Sequence, residues 1–262
     1  MPRTSLRALT RAHLAAGDDS AKHAERMAVM AVDPRRIATT VRLTTLLHGQ
    51  LGSMTREEVG SDGSRNGWPR MNLRQIGNQI YGTAHGWHCH SGVYRTRGAH
   101  DLLTGGGLSL DGHAVVHCEH TLPSSLMVDL MWRMRRSGDL PLPGDLLAWL
   151  LSNSVVTVAL QSERKAKGDE PVALGRRRTI GGRTSSWSCT HPDLGSDDAM
   201  TDAVRPFVRY VGTGAEIVHV PTGATVDLRS TMADHRARIA DCMVHATTSY
   251  GLPVTRRLAL AA

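Results

Sequence analysis

The sequence predicts an α+β protein, and three observations carry that prediction. Two short runs rich in β-branched residues, at 114–116 and 155–160, have the length and composition of strands. The stretch between them places Leu126, Leu130 and Met134, and then Leu146, Leu147 and Leu150, at helical spacing. Near the end, alternating residues on either side of Pro221-Thr222-Gly223 read as a hairpin and lead into an amphipathic helix. A chain of 262 residues can bury a full core. It divides into a helical, histidine-rich region at 1–100, a central region at 101–170, and a basic loop with a hairpin-helix region at 171–262.

Only 4% of residues are aromatic and there is a single Phe, so the core must be built from Leu, Val, Ala and Met. The net charge is +7 and almost all of the excess is arginine, with lysine only at 22, 165 and 167. Guanidinium forks suit phosphate oxygens and guanine edges, which makes an acidic polymer the natural partner. The same balance would also be written by a chain that uses Arg wherever another would use Lys. Four dispersed cysteines without a C-x-x-C pair argue against a disulfide framework and a zinc ribbon. No apolar run approaches 18 residues, so no membrane partner is expected, and with the dispersed cysteines a cytoplasmic location is the simplest reading.

In chain order, Asp18-Asp19-Ser20 caps a helix at 21–30, and Pro34 opens a second whose face carries Ile37, Val41 and Leu47. Residues 49–69 read as a loop, and Leu73, Ile76 and Ile80 as one side of a third helix. His85, His88 and His90 surround Cys89 and precede Tyr94-Arg95-Thr96-Arg97. This cluster is a candidate for a second metal site or for a DNA contact, with Arg95 and Arg97 alternating toward a backbone, and ordinary histidines would serve equally. Gly105-Gly106-Gly107 reads as a turn.

The first central strand runs into His117-Cys118-Glu119-His120-Thr121-Leu122-Pro123, and the second leads directly into Gln161-Ser162-Glu163-Arg164-Lys165. Glu119-His120 with Pro123, then Asn153 through Leu160 and a polar helix, resembles the HNH (ββα-metal, His-Me finger) endonuclease superfamily in its phage-type Glu-His-x-x-Pro variant. The resemblance covers about 55 residues. It implies a ββα-metal core with a helical insertion and a divalent-metal-dependent endonuclease acting on DNA, of restriction or phage-related type. By the same resemblance His120 is the general base, Glu119 a metal ligand, Glu163 or Asn153 the second ligand, and Mg²⁺ or Mn²⁺ the cofactor. Neighbours on a regular strand face opposite ways, so joint action of Glu119 and His120 requires a bulge or twist between them.

Beyond Lys167 the chain is basic, and Arg176, Arg177, Arg178 and Arg183 form a candidate phosphate-tracking loop. Val208 and Tyr210 alternate with Arg209 as a strand, with Arg209 a further candidate DNA contact. Thr231 or Ser230 caps a last helix at 232–250. A homodimer is expected if both strands are cut at a symmetric site. Two other readings fit the same residues: a non-catalytic nucleic-acid-binding regulator, and a metal-free nucleic-acid lyase or glycosylase.

Overall fold

Pro34, whose missing N–H costs nothing at a helix start, opens α1 (Pro34–Ser53). Thr40, Thr44, Leu47 and Leu51 are buried along one stripe of it, and the Thr44 hydroxyl is satisfied by donating to the Thr40 carbonyl at 2.9 Å. Because that stripe continues to Leu51, the helix runs past Gly49, where a loop was expected to begin. The structure is a computed structural model, and it describes residues 34–55, 58, 69, 71–73, 75–76, 94–104, 116–138, 140, 142–153, 156–166, 169–180, 183–186, 205–220 and 222–238. The expected helix at 21–30 and the His85, His88 and His90 cluster lie outside the described residues. Of the third helix, expected at 72–80, residues 72–73 and 75–76 are helical, with Leu73 and Ile76 fully buried.

The fold is mixed α/β. A five-stranded sheet is formed by β1 (Tyr94–Thr96), β2 (Val116–His120), β3 (Val156–Leu160), β6 (Ile217–His219) and β7 (Ala224–Thr225), in the order β2-β3-β1-β6-β7. β1 and β3 run parallel, while the other neighbours are antiparallel. The connection between β2 and β3 is the helical pair read from the leucine spacing, α3 (Ser124–Ser137) and α4 (Pro143–Asn153). α3 stops at Gly138, whose left-handed φ of 78° lets its N–H reach the Met134 and Arg135 carbonyls. A five-residue helix, α5 (Gln161–Lys165), follows β3 without a linker.

Register assigns side chains to the two faces of the sheet. Val116 pairs with Leu160, and both contact a small apolar cluster with Val158, Ala99 and Leu103. Ala99 and Leu103 sit one turn apart on α2 (Arg97–Thr104), a helix the sequence reading passed over, which covers this face. The larger core joins α1, α3 and α4 to Tyr94, Ile217, Phe207 and Tyr210. Tyr94 packs edge-on against Phe207 at 4.7 Å, and its hydroxyl shares a 2.7 Å hydrogen bond with Nδ1 of His235 on α6 (Met232–Arg238). α6 starts where expected, at a reciprocal cap in which Thr231 and Asp234 bond each other's backbone N–H. Residues 239–250 of its expected length lie outside the described residues.

The segment before β6 corrects the expected strand. Val208, Arg209 and Tyr210 form a buried 3₁₀ turn with successive short-range bonds, Tyr210 N–H to Phe207 and Thr213 N–H to Tyr210. Gly212 and Gly214 then reverse the chain with φ of 80° and 76°. At Gly214 an added Cβ would lie 1.8 Å from the Pro171 carbonyl oxygen. Gly214→Ala is therefore expected to cost at least about 2 kcal/mol, since the left-handed penalty alone approaches that and the backbone overlap adds to it. A thermal melt indistinguishable from wild type would contradict this packing.

The expected hairpin around Pro221-Thr222-Gly223 is formed by β6 and β7, and the Gly223 N–H bonds the His219 carbonyl at 2.9 Å. The basic stretch after Lys167 forms a separate two-stranded ribbon, β4 (Arg177–Ile180) and β5 (Arg183–Ser186), instead of a loop. Among the described residues, no helix is long and apolar enough to cross a membrane.

Candidate functional site at the edge strand

β2 is one of the two edge strands of the sheet, and its ladder with β3 is unbroken from Val116↔Leu160 to His120↔Val156. The bulge required to aim Glu119 and His120 at one target is not formed. Alternation continues into the following residue, because the Thr121 hydroxyl meets that of Thr157, the partner of Glu119, at 2.9 Å. Glu119 and Thr121 therefore share a face, and His120 between them points to the other. The imidazole on Glu119's own face is that of His117, two residues upstream.

Two elements remote in sequence close over that face. The 3₁₀ turn delivers Tyr210, whose hydroxyl donates to Glu119 Oε1 at 2.9 Å, and Arg209, whose Nη2 lies 3.4 Å from Glu119 Oε2. Arg209 Nη1 also donates to the His120 carbonyl at 2.6 Å, and its guanidinium stacks over the Tyr210 ring at 5.2 Å. Arg209 is only 3% exposed and the Glu119 side chain 10%, so this is a buried ion pair with three anchors. α5 supplies Arg164, exposed to solvent, and Glu163, buried.

Glu163 has a structural task. Its Oε2 accepts from the Thr96 hydroxyl at 2.6 Å and from the Leu160 N–H at 2.9 Å, tying the ends of the parallel strands β1 and β3 to the first turn of α5. Gly98 lies close beside it, and a Cβ there would stand 2.8 Å from Glu163 Oε1, so the carboxylate would have to shift. Asn153 lies at the opposite end of β3, its amide nitrogen donating to the Trp149 carbonyl at 2.7 Å. A five-residue strand spans about 13 Å, so Asn153 and Glu163 do not meet. Glu163 lies near enough to Glu119 for that charge to act on its carboxyl.

The electrostatics of the face follow from burial and these charges. Burial, then Arg164, holds the His117 imidazole below its usual range, with Arg209 adding to the effect and Glu119 opposing it. His117 is consequently neutral at neutral pH, with an acceptor nitrogen available. Burial pushes the Glu163 carboxyl up, and the Glu119 charge adds to the rise, while the bonds from Thr96 and Leu160 oppose it. Burial, followed by the Glu119 carboxylate, keeps the Tyr210 phenol protonated as a donor.

The rise at Glu163 yields a pH prediction. A carboxyl whose folded-state pKa exceeds its ordinary value of 4.5 contributes stability that is complete below that pH and is lost as pH rises through the folded-state value. Glu163→Gln keeps an acceptor for Thr96 and Leu160 without the charge. It is expected to equal or exceed wild-type stability at neutral pH and to flatten the pH dependence above 4.5, as read by denaturant midpoints. A variant that loses more stability at neutral pH than in acid would contradict this.

Three of the expected DNA contacts are buried or held in ion pairs. Arg95 is fully buried within β1, the middle strand of the sheet, where it cannot touch a backbone. Arg97 is exposed but paired with Glu216 at 2.5 Å, which in turn accepts from Thr225 at 2.7 Å. Arg209 is spent on Glu119 and His120. Arg176 donates to the Gly212 carbonyl at 3.3 Å, and Arg177, Arg178 and Arg183 lie on the β4–β5 ribbon. Among the described residues, no group of three or more His, Cys, Asp and Glu side chains is gathered as a metal cage. A Mg²⁺-type ion asks for less, one or two carboxylates plus phosphate oxygens, and Glu119 retains lone pairs beyond those given to Tyr210 and Arg209.

His117 and Arg164 were missed by the sequence reading. His117 could have been found by counting two residues back from Glu119 on a regular strand. No protein-family model matches this chain, and neither a curated protein nor a solved structure is similar enough to match it.

Proposed function

We propose that this chain is an endonuclease that hydrolyses phosphodiester bonds in DNA, working on the face of β2 that carries His117 and Glu119. The observation that supports it most is the convergence on one strand edge of a neutral imidazole, a carboxylate and two guanidinium groups, one buried and one open to solvent. The order of elements, an antiparallel strand pair interrupted by helices and followed by a helix, is also that of the superfamily the sequence resembles.

In this reading Arg164 receives a phosphate oxygen from solvent. His117 takes the proton of a water as its oxygen attacks phosphorus, the bond to the 3′ oxygen breaks, and that oxygen takes a proton from solvent. Tyr210 and Arg209 fix the Glu119 carboxylate, which lies two residues from the imidazole and orients the water. The Mg²⁺ or Mn²⁺ implied by the resemblance would be held by Glu119 together with substrate phosphate oxygens, and would neutralise charge on the scissile group.

The test is nicking of supercoiled plasmid by wild type and Glu119→Gln, each with Mg²⁺ and with EDTA. Wild type is expected to nick in Mg²⁺, and Glu119→Gln, assayed at a temperature where a thermal melt shows it still folded, to be slower by at least about a hundredfold. Wild type inert under all conditions, or a variant as fast as wild type, would overturn the proposal. Cleavage undiminished in EDTA would assign the site to metal-free chemistry.

A further inference from the structure

Residues 171–186 hold four arginines and no acid. The chain pairs part of this stretch with itself as the β4–β5 ribbon, from Arg177↔Ser186 to Ile180↔Arg183, apart from the five-stranded sheet. The root of the ribbon is bonded to the two elements that build the β2 site. Leu174 N–H donates to the Glu163 carbonyl at 3.0 Å and Gly175 N–H to the Ala166 carbonyl at 2.9 Å, which fixes the root to α5. Ala173 N–H donates to the Thr213 carbonyl at 2.8 Å, and Arg176 to that of Gly212, which fixes it to the loop after Tyr210. Gly214 packs against Pro171 too closely for any side chain. The root of a basic ribbon is thus bonded beside the two elements that carry Glu163, Arg164, Arg209 and Tyr210.

We propose that the β4–β5 ribbon is a groove-binding arm that selects double-stranded DNA and presents it to the β2 site. Paired strands stand about 4.8 Å apart, and the B-form major groove, about 12 Å wide and 8.5 Å deep, admits a two-stranded ribbon. Four residues per strand extend about 10 Å, enough to reach the groove floor. The deep, narrow major groove of A-form RNA does not admit such an arm, and a single strand offers no groove. Arg177, Arg178 and Arg183 give the arm the positive charge that attracts phosphates. The proposal rests on the endonuclease reading for its statement that duplex DNA is the substrate, while the binding itself is measured separately.

The experiment is fluorescence anisotropy of the full chain with a short DNA duplex, the single strand of the same sequence, and an RNA duplex, across a salt series. Wild type is expected to bind the DNA duplex tightest. Replacing Arg177, Arg178 and Arg183 together by Ala is expected to weaken duplex binding at least about tenfold and to reduce the salt slope by roughly three. The corresponding triple Lys variant, which keeps the charge, is expected to stay within a few-fold of wild type and guards against a folding defect. Unchanged affinity of the Ala variant, a Lys variant as weak as the Ala variant, or wild type that binds single-stranded DNA or RNA duplex as tightly would overturn the inference. Duplex binding that depends on the ribbon in a protein that never nicks would sink the endonuclease reading alone.

Discussion

Arg209→Ala is expected to lower the stability of the protein by about 3–5 kcal/mol, the usual consequence of removing one member of a buried ion pair. The guanidinium is 3% exposed, and its loss leaves the Glu119 carboxylate with Tyr210 as its remaining anchor and deprives the His120 carbonyl of a 2.6 Å donor. The cost is dominated by the stranded charge, so adding Glu119→Gln to Arg209→Ala should recover part of it. Denaturant unfolding of the wild type, the two single variants and the double variant measures the coupling. A single Arg209→Ala variant within about 0.5 kcal/mol of wild type would place Arg209 at the surface, contrary to the structure. Because Arg209 and Tyr210 hold Glu119 from a turn 91 residues downstream, the same variant is expected to lose nicking even under conditions where it stays folded.

What the sequence disclosed and what it hid separate along physical lines. Periodic burial is local, so the leucine stripes of α3 and α4, the β-branched run of β3 and the hairpin at β6–β7 could all be read from neighbours in the chain. Glu163 was legible as a candidate because strand and helix follow each other directly at 160 and 161, and Glu119 because an acid-His pair stands at a strand end just before Pro123. α2 was not, since its first residues continue a strand and only Ala99 and Leu103 mark its buried side. The burial of Arg95 was equally hidden, because an arginine beside a tyrosine looks like a surface pair until the strand order places β1 between β3 and β6. Val208-Arg209-Tyr210 has strand composition, yet the glycines at 212 and 214 let the chain curl into a 3₁₀ turn that buries all three. The partnership of Tyr210 with Glu119 has no local signal at all, being a tertiary contact between unrelated segments.

The most consequential correction concerns which imidazole accompanies Glu119. An adjacent acid-His pair draws attention to His120, but an unbroken ladder gives the face of Glu119 to His117. Rates of plasmid nicking by His117→Ala and His120→Ala, measured side by side with thermal melts of both, test this most directly. The expected result is a loss of about 10²- to 10⁴-fold for His117→Ala, the usual contribution of a positioned general base, with His120→Ala retaining most of the wild-type rate once corrected for any change in stability. The reverse pattern, with His120→Ala inactive and His117→Ala close to wild type, would contradict the assignment of the site to the Glu119 face.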